Sequence, residues 1–331
     1  MSPLRPGARW EEDNPTLLSL QPYGGSDADL AALTAIRNDT LRATTRPEDF
    51  SEATSEGMDR FYNRGDFTLT GNAWLLRLAG EPAAAAIVYP KAAFQDTPPG
   101  NFHLYVVPRF SKHGLGSRLL DHLEQAAAAR GYPVLETTVA AEDQKSTRFL
   151  LNHGFGVVGR SIHLSLFDLD RWRDPARPDP APIPSGFAIR SLADLQEPPD
   201  LYLETANRLG AHDLNYSLIT PEDLQAQIDS DRWDPAGALL LFDPTERIIG
   251  VIRASFPEPT TGYLSEVRLE PASRGKGLGT PLVGAAVKHI AARGAQRADL
   301  DTPGENTAAR NLALRAGFQE TRHWLHYLKR L

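Results

Sequence analysis

The chain has 331 residues, of which 41% are hydrophobic and 23% charged, and its formal net charge is −7. At about 150 residues per domain this length favours two domains, and the composition excludes a wholly disordered or collagen-like protein. The absence of a basic excess disfavours a nucleic-acid partner, and the absence of cysteine excludes disulfide scaffolds, thiolate zinc sites and cysteine nucleophiles. We predict no metal site.

The N-terminal residues contain no apolar stretch of the kind found in signal peptides, and the longest apolar run, around residues 83–89, is far too short to cross a membrane. We therefore expect a cytoplasmic protein that has no membrane partner. The sequence does not indicate an oligomeric state.

In the first half, a short strand is predicted at residues 17–20, and a polar, helical stretch follows it. Runs of apolar residues predict two more strands at 73–79 and 84–89. A further strand ends at Val107-Pro108 and leads to a Gly-rich turn, residues 111–116, and an amphipathic helix. This order of elements is typical of an α/β domain with a mixed sheet flanked by helices.

A break in composition follows, because five prolines lie within residues 175–184. Proline at this density is incompatible with a helix or a central strand, so we predict a stiff linker over residues 171–185. This linker separates a predicted N-terminal domain, 1–170, from a predicted C-terminal domain, 186–331. A long loop inside a single domain is the alternative.

The second half shows the same order of elements. Its first strands are predicted at residues 187–190, 238–242 and 248–255. In the helix after the Gly-rich turn, we expect Thr280 to act as the N-cap and Pro281 to occupy the first position, and apolar residues recur at helical spacing until Gly294. A strand, a helix from about Thr307 to Arg315 and a last strand, HWLHYLKRL, complete the unit.

The two halves repeat each other at a constant offset. Gly114-Leu115-Gly116 recurs as Gly277-Leu278-Gly279, and Gly154-Phe155 recurs as Gly317-Phe318, in both cases 163 residues later. An offset that stays constant across several landmarks indicates that the chain is a duplication of one α/β domain.

The segment from Arg274 to Gly279, RGKGLG, joins a predicted strand to a helix N-terminus. Consecutive main-chain N–H groups in such a turn form an anion site, and the helix dipole adds partial positive charge, so we predict that the loop binds a pyrophosphate. The loop matches neither the dinucleotide motif GxGxxG, which requires glycine at Leu282, nor the P-loop, which requires glycine at Glu270. A purely structural turn is the alternative.

The pattern of a strand, X-Pro, Arg-x-x-Gly-x-Gly, a helix and a later Gly-Phe resembles the GCN5-related N-acetyltransferase (GNAT) superfamily, and its spread over both halves resembles the tandem-domain members. The resemblance implies two tandem GNAT-like domains and acetyl-CoA as the cosubstrate. It also implies that Leu269 lies on a splayed strand that holds the pantetheine arm, and that Asn306 contacts the cofactor. The implied pyrophosphate loop comprises Arg274, Gly275, Lys276, Gly277, Leu278, Gly279 and Thr280.

The first copy departs from the family pattern, because Ser111 and Lys112 stand where the family has Arg and Gly. Main-chain donors nevertheless survive in this turn. The residues that would bind a cofactor in the first copy are His113, Gly114, Leu115, Gly116 and Ser117. A retained scaffold that binds no cofactor is the alternative.

Acyl transfer to an amine requires a group that takes the amine proton. Glu266 lies three residues before Leu269 on the strand that feeds the loop, and many GNAT enzymes use an acid in this region, so we expect Glu266 to be the general base. Strand alternation places Glu266 on the same face as Arg268, and an ion pair between the two, or plain solvation, is the alternative. The equivalent residue of the first copy is His103, for which a structural role is favoured.

Many GNAT enzymes protonate the leaving thiolate with a tyrosine four residues before the closing Gly-Phe. Ala313 and Leu150 occupy this position in the two halves. A thiol with a pKa near about 8.5 leaves tolerably well without full protonation. Tyr263, Tyr327 and His326 are the candidate substitutes, and a packed strand residue is the alternative for each.

These patterns predict an acetyl-CoA-dependent N-acetyltransferase that acts on a primary amine of a small molecule or peptide, with the chemistry in the C-terminal domain. A tandem GNAT protein that binds or senses acyl-CoA without turnover is the alternative, favoured by the missing tyrosine and the altered first loop. A purely structural interaction module would bind no acyl-CoA. The sequence leaves the identity of the amine open.

Overall fold

The computed structural model describes residues 18–47, 50–63, 67–90, 99–173, 182–211, 218–229 and 233–331. Within these ranges the chain forms two compact units. Unit 1 contains the described residues up to Val139, together with Asp143–Val158 and His326–Leu331. Unit 2 contains Ala140–Glu142 and the described residues of Gly159–Leu325.

Unit 1 is built on a mixed sheet whose strands follow the order of the chain, and its helices come after the first, fourth and fifth strands. The strands are β1 (Leu18–Pro22), β2 (Ala73–Leu78), β3 (Glu81–Pro90), β4 (Gly100–Val106) and β5 (Val134–Ala140). The helices are α1 (Asp27–Thr44), α2 (Ser55–Tyr62), α3 (Leu115–Ala129) and α4 (Gln144–Asn152). Pairing is antiparallel from β1 to β4, and β4 pairs with β5 in parallel.

Unit 2 repeats this plan. Its strands, which for β6 and β12 means the larger part of the strand, are β6 (Gly156–Leu166), β7 (Ala188–Ser191), β8 (Ala238–Phe242), β9 (Ile248–Glu258), β10 (Thr261–Leu269), β11 (Arg297–Pro303) and β12 (Gln319–Arg330). Its helices are α5 (Asp170–Arg173), α6 (Leu192–Leu195), α7 (Pro199–Gly210), α8 (Pro221–Asp229), α9 (Gly279–Ala292) and α10 (Thr307–Arg315). The sheet runs β6-β11-β10-β9-β8-β7, in which β10 and β11 are parallel and their neighbours antiparallel. The predicted α/β fold with mixed sheets is confirmed.

Each unit takes part of a strand from the other half of the sequence. In unit 2, β6 pairs with β11 from Leu166 opposite Ala298 to Ser161 opposite Pro303, although β6 precedes the prolines. In unit 1, the Lys329 ammonium lies 2.6 Å from the Glu124 carboxylate. The predicted limits 1–170, 171–185 and 186–331 remain a prediction, and residues 174–181 of the linker lie outside the described residues.

The core of unit 2 forms where α9 packs on the sheet. Gly262 of β10 lies so close to Ile290 of α9 that an added Cβ would come within 2.3 Å of the isoleucine side chain. The apolar residues predicted for one face of α9 are buried: Leu282, Val283, Ala286, Val287 and Ile290. Burying a side chain the size of leucine or isoleucine contributes about 1.5–3 kcal/mol, so the contact of Ile290 holds the C-terminal end of α9 against β10.

The start of α9 differs from the prediction. The helix begins at Gly279, and Leu278 is its N-cap residue, with helical backbone angles and no side-chain cap. The reason is the left-handed turn at Gly277, with φ +78°, which brings the chain into the helical path before Thr280 is reached. No helix of the described ranges is long and apolar enough to cross a membrane.

Candidate active site

Strand β10 carries a β-bulge at Glu266. The pairing of β10 with β9 shifts between Ser265 and Arg268, and Glu266 has a left-handed backbone with φ +48°. This conformation costs a residue with a side chain about 1–2 kcal/mol. Such strain persists where the surrounding structure holds it, and it is concentrated at functional sites.

Strands β10 and β11 separate just before this bulge. Their parallel pairing runs from Thr261 opposite Arg297 to Tyr263 opposite Asp299, and the described residues of the two strands pair no further. Glu266 and Leu269 therefore lie on β10 beyond the last paired residue, beside the gap between the two strands.

The Glu266 carboxylate is bound through one of its oxygens. Oε2 accepts hydrogen bonds from the Tyr202 hydroxyl at 2.9 Å and from Arg253 Nε at 3.0 Å, and a third from the hydroxyl of Ser265. Oε1 accepts no hydrogen bond from any residue that the structure describes. The side chains of Glu266 and Arg253 are each 15% exposed, so the ion pair is largely shielded from water.

Burial alone would raise the pKa of Glu266, but the charge of Arg253 and the hydrogen bonds from Ser265, Tyr202 and Arg253 outweigh it, so its pKa lies below the ordinary value. The carboxylate is therefore ionised at neutral pH. Its arginine partner is Arg253 rather than Arg268, which instead donates from Nη1 to the carbonyl of Ala206 at 2.7 Å. The bulge explains this, because an extra residue in β10 breaks the strand alternation that placed Glu266 with Arg268.

The loop between β10 and α9 has the backbone that the glycine pattern predicts. Gly275 and Gly277 have φ of +77° and +78°. The first internal hydrogen bond of α9 runs from the amide of Leu282 to the carbonyl of Leu278 at 3.3 Å, so the amides of Gly279 and Thr280 lie in the first turn, at the positive end of the helix, where an anion is favoured. Arg274 Nε donates to the carbonyl of Leu269 at 3.0 Å and ties the loop to the end of β10.

The corresponding loop of unit 1 keeps this shape. A 3₁₀ turn, Pro108–Phe110, precedes it, as Pro271–Ser273 does in unit 2. Lys112 and Gly114 have φ of +65° and +75°, and α3 begins at Leu115. Unit 1 therefore keeps the backbone of the loop without its arginine.

Both loops lie within segments that match one protein family. The profile described as "Acetyltransferase (GNAT) family" matches residues 34–155 and 209–318, which together make up more than half of the chain. The chain belongs to the GNAT acetyltransferase family. Both predictions, membership of this family and an N-acetyltransferase activity, are confirmed.

Curated relatives of this acetyltransferase include two mycothiol acetyltransferases. The protein from Arthrobacter sp. is 27% identical over 224 residues, which cover 66% of this chain and 67% of that protein. The protein from Kytococcus sedentarius is 27% identical over 233 residues, which cover 66% and 72%.

Two solved structures have a similar fold. A GCN5-related N-acetyltransferase from Sphaerobacter thermophilus has a TM-score of 0.75 and 21% identity, with 96% of each chain covered. A tandem GNAT protein from the clavulanic acid biosynthesis pathway has a TM-score of 0.69 and 18% identity, with 95% of this chain and 98% of that chain covered.

Asn306 has a structural task in this acetyltransferase. It is the N-cap of α10, and its side-chain oxygen accepts a hydrogen bond from the amide of Ala309 at 3.1 Å. Asp143, its counterpart in unit 1, caps α4 in the same way and accepts from the amide of Ser146 at 3.0 Å. The cap leaves the side-chain NH2 of Asn306 as the group that could contact a cofactor.

The other loop residues predicted for unit 1 are partly engaged within the protein. The ring of His113 contacts the carbonyl of Phe110 through Nδ1 at 3.2 Å. The hydroxyl of Ser117 contacts His153 Nε2 at 2.9 Å. Gly116 lies against Phe149, as Gly279 lies against Leu312 in unit 2. The two loops therefore share their packing but differ in polar side chains.

His103, the counterpart of Glu266, lies in a regular strand, because β3 and β4 pair without a register shift. Its Nδ1 contacts the hydroxyl of Tyr62, and its Nε2 lies 3.1 Å from the hydroxyl of Tyr89. Burial, aided by the charge of Arg37, lowers the pKa of His103 to about 4. His103 is therefore neutral and held on both ring nitrogens, which supports its structural interpretation.

The three candidate substitutes for the missing tyrosine lie in different units. Tyr327 is fully buried in unit 1, where its hydroxyl donates to Thr147 Oγ1 at 3.0 Å, and His326 also belongs to unit 1. Tyr263 belongs to unit 2 and donates to Asp301 Oδ2 at 2.9 Å. Of the three, Tyr263 alone shares unit 2 with Glu266.

Three residues of unit 2 that bind predicted site residues were not predicted from the sequence: Tyr202, Arg253 and Asp301. Asp301 accepts from Tyr263 and also contacts His163 Nδ1 at 2.9 Å. Alternate acidic residues in the predicted strand, Asp299 and Asp301, were a signal for a polar sheet face. Tyr202 and Arg253 belong to no motif, and they meet Glu266 only after α7 and β9 have packed against β10.

Proposed function

We propose that this acetyltransferase transfers an acetyl group from acetyl-CoA to a primary amine of a small molecule or peptide, and that unit 2 performs the reaction. One observation carries the proposal. Unit 2 combines a loop that leads into the positive end of α9 with a carboxylate whose Oε1 accepts no hydrogen bond from the described residues, and both Glu266 and the loop follow the last residue of β10 that pairs with β11. Unit 1 offers a neutral histidine with both ring nitrogens engaged in place of that carboxylate.

The described residues fit acetyl-CoA. The amides in the first turn of α9, with the side chains of Arg274 and Lys276 exposed in the preceding loop, suit a pyrophosphate. The gap beside Leu269 suits the pantetheine arm, and the side-chain NH2 of Asn306 offers a further donor. When bound, acetyl-CoA supplies the activated acetyl thioester.

In this proposal Glu266 takes the proton that the amine loses on attack, through Oε1, directly or by way of a water molecule. Arg253 and Tyr202 keep the carboxylate ionised, so the base is ready at neutral pH. Because Ala313 is buried and apolar where many family members have tyrosine, the thiolate leaves without that acid. A thiol pKa near about 8.5 makes this departure tolerable.

Thiol release from acetyl-CoA in the presence of a panel of primary amines tests the proposal. The panel includes the amine that mycothiol acetyltransferases acetylate. We expect amine-dependent release, and we expect Glu266→Gln to lower kcat/KM by roughly 10²–10⁴-fold while acetyl-CoA affinity stays unchanged. Binding of acetyl-CoA without turnover of any amine would overturn the proposal in favour of a sensor.

Glu246→Gln is the matched control for this experiment. Glu246 also has a left-handed backbone, with φ +61°, and also pairs with an arginine, Arg190, at 2.6 Å. It lies in the turn before β9, away from the gap between β10 and β11. We expect this variant to keep the wild-type kcat/KM. A loss of kcat/KM in Glu266→Gln is then due to the position of Glu266 and not to the replacement of a glutamate by glutamine.

A further inference from the structure

The two oxygens of the Glu266 carboxylate are unequal. All three donors that reach it bind Oε2, and they come from Tyr202 on α7, Arg253 on β9 and Ser265 on β10. A carboxylate held by one oxygen at three points cannot exchange its two oxygens by rotation without losing these bonds. Oε1 accepts no hydrogen bond from the described residues and is the oxygen left to accept a proton.

The donors are themselves fixed. Tyr202 is only 1% exposed, and its ring meets the ring of Trp233 edge-on at 5.3 Å between centroids. Arg253 donates from Nη1 to the side-chain oxygen of Gln227 on α8, and its Nε also reaches Ser265 Oγ at 3.2 Å. Two helices that are remote in sequence from β10 therefore determine where the carboxylate points.

We propose that Tyr202 and Arg253 are positioning residues for acyl transfer, which hold Oε2 so that Oε1 alone faces the amine. The inference rests on the proposed function, in which Glu266 is the base. Neither residue needs to touch the substrate, and both act through Glu266.

Several groups determine how Glu266 titrates. Arg253 of β9 and Tyr202 of α7 act on its carboxylate directly. Tyr263 of β10 interacts with its charge, and Arg268 of β10 acts on Tyr202. Removing the Tyr202 hydroxyl takes away one donor to the ionised form, so the pKa of Glu266 must rise. Removing Arg253 would leave a buried charge unpaired and threatens folding, so Tyr202 is the better position to change.

The test is Tyr202→Phe, which keeps the ring in its packing and removes the hydroxyl. We expect kcat with a saturating amine to fall about tenfold, as for loss of one hydrogen bond to a charged group, with the KM for acetyl-CoA unchanged. The acidic limb of the kcat/KM profile shifts to higher pH. Combined with Glu266→Gln, the substitution adds no further loss, because its effect passes through the carboxylate.

Tyr62→Phe is the matched control, because Tyr62 is also buried and its hydroxyl contacts His103, the counterpart of Glu266 in unit 1. We expect this variant to keep the wild-type kcat and pH profile. Equal losses in the two variants, or multiplicative losses in the Tyr202→Phe, Glu266→Gln double variant, would overturn the inference. Thermal unfolding of every variant separates loss of fold from loss of positioning.

A readout without turnover separates this inference from the proposed function. In protein labelled with ¹³C at the glutamate carboxyl groups, the signal missing from Glu266→Gln identifies Glu266, and its titration gives the pKa. We expect this pKa to rise in Tyr202→Phe and to stay unchanged in Tyr62→Phe. An unchanged pKa in Tyr202→Phe refutes the positioning role, whereas a raised pKa in a protein that acetylates no amine refutes only the proposed function.

Discussion

Lys112 and Gly275 occupy the same position of the two loops, 163 residues apart, and both have a left-handed backbone, with φ of +65° and +77°. Glycine adopts this conformation without steric cost, whereas lysine does not. The loop of unit 1 therefore has the same left-handed backbone at this position, although it lacks the glycine that would adopt it without strain. The flanking turn at Pro108–Phe110 and the helix at Leu115 hold Lys112 in place.

Replacing Lys112 by glycine relieves this strain. We expect Lys112→Gly to raise the free energy of unfolding by up to about 1 kcal/mol, measured by urea denaturation. Lys112→Ala removes the same charge and keeps the strained backbone, so it is the control and leaves stability near wild type. A loss of stability in Lys112→Gly would show that the lysine side chain, and not the backbone, decides the energy of the turn.

Gly277→Asp places a carboxylate where the loop is predicted to bind a pyrophosphate. An added Cβ at Gly277 or at Gly114 of unit 1 meets no atom within 4 Å, and both positions have a left-handed backbone, with φ of +78° and +75°, so the two substitutions carry a similar backbone strain and no clash. We expect Gly277→Asp to weaken acetyl-CoA binding at least about tenfold in calorimetry, because like charges then face each other. Gly114→Asp tests unit 1 in the same way. An unchanged affinity of Gly277→Asp for acetyl-CoA would contradict the prediction that this loop binds the cofactor.

Arg274 and Ser111 test the asymmetry of the two copies. The Arg274 side chain fastens the loop to the carbonyl of Leu269, and serine is too short to replace this bond. We expect Arg274→Ser to lower kcat/KM by about tenfold or more, chiefly through the KM for acetyl-CoA. Ser111→Ala changes kcat/KM less than twofold by the same principle. Comparable losses would mean that both units catalyse the reaction.

His163 gives unit 2 a pH-dependent stability. Burial lowers the pKa of His163, but the hydrogen bonds that its ring donates to Asp299 and Asp301, together with the charges of these carboxylates, outweigh burial and raise the pKa from 6.5 to about 9. A histidine whose pKa is higher in the folded protein than in the unfolded chain stabilises the fold. This stabilisation is complete at a pH below the unfolded-state pKa and is lost as the pH rises through the folded-state pKa. We expect the Tm to fall as the pH rises from 6.5 to 9, and we expect His163→Gln to abolish the part of this fall that is due to His163. A wild-type Tm that stays level over this interval would contradict the pairing.

The repeat could be predicted because it is a property of the sequence itself. The role of the loop glycines could be predicted because it depends on local backbone conformation. Gly277 requires a left-handed backbone whatever surrounds it, and the structure has one. The partner of Glu266 was not readable, because a bulge changes which face a strand residue occupies, and a regular period of two cannot reveal it. The start of α9 was misplaced for a similar reason, since the turn at Gly277, and not the hydroxyl of Thr280, sets it.

The pairing of the last strand could not be predicted from the sequence either. Alternation identifies β12 as a strand but does not say which neighbour it pairs with. Residues 319–325 belong to unit 2, where Thr321 Oγ1 donates to the carbonyl of His163 at 3.3 Å. Residues 326–331 belong to unit 1, where the amide of Leu331 donates to the carbonyl of Pro133 at 3.1 Å. Only long-range pairing decides this division.

This division determines the order in which the protein can be completed during translation. Unit 1 is synthesised first, yet it lacks residues 326–331 until they have left the ribosome. Unit 2 receives β6 early and has every strand segment before unit 1 does. The half that is translated second is therefore the first to have all its residues, and the half that is translated first is completed only when residues 326–331 have joined it.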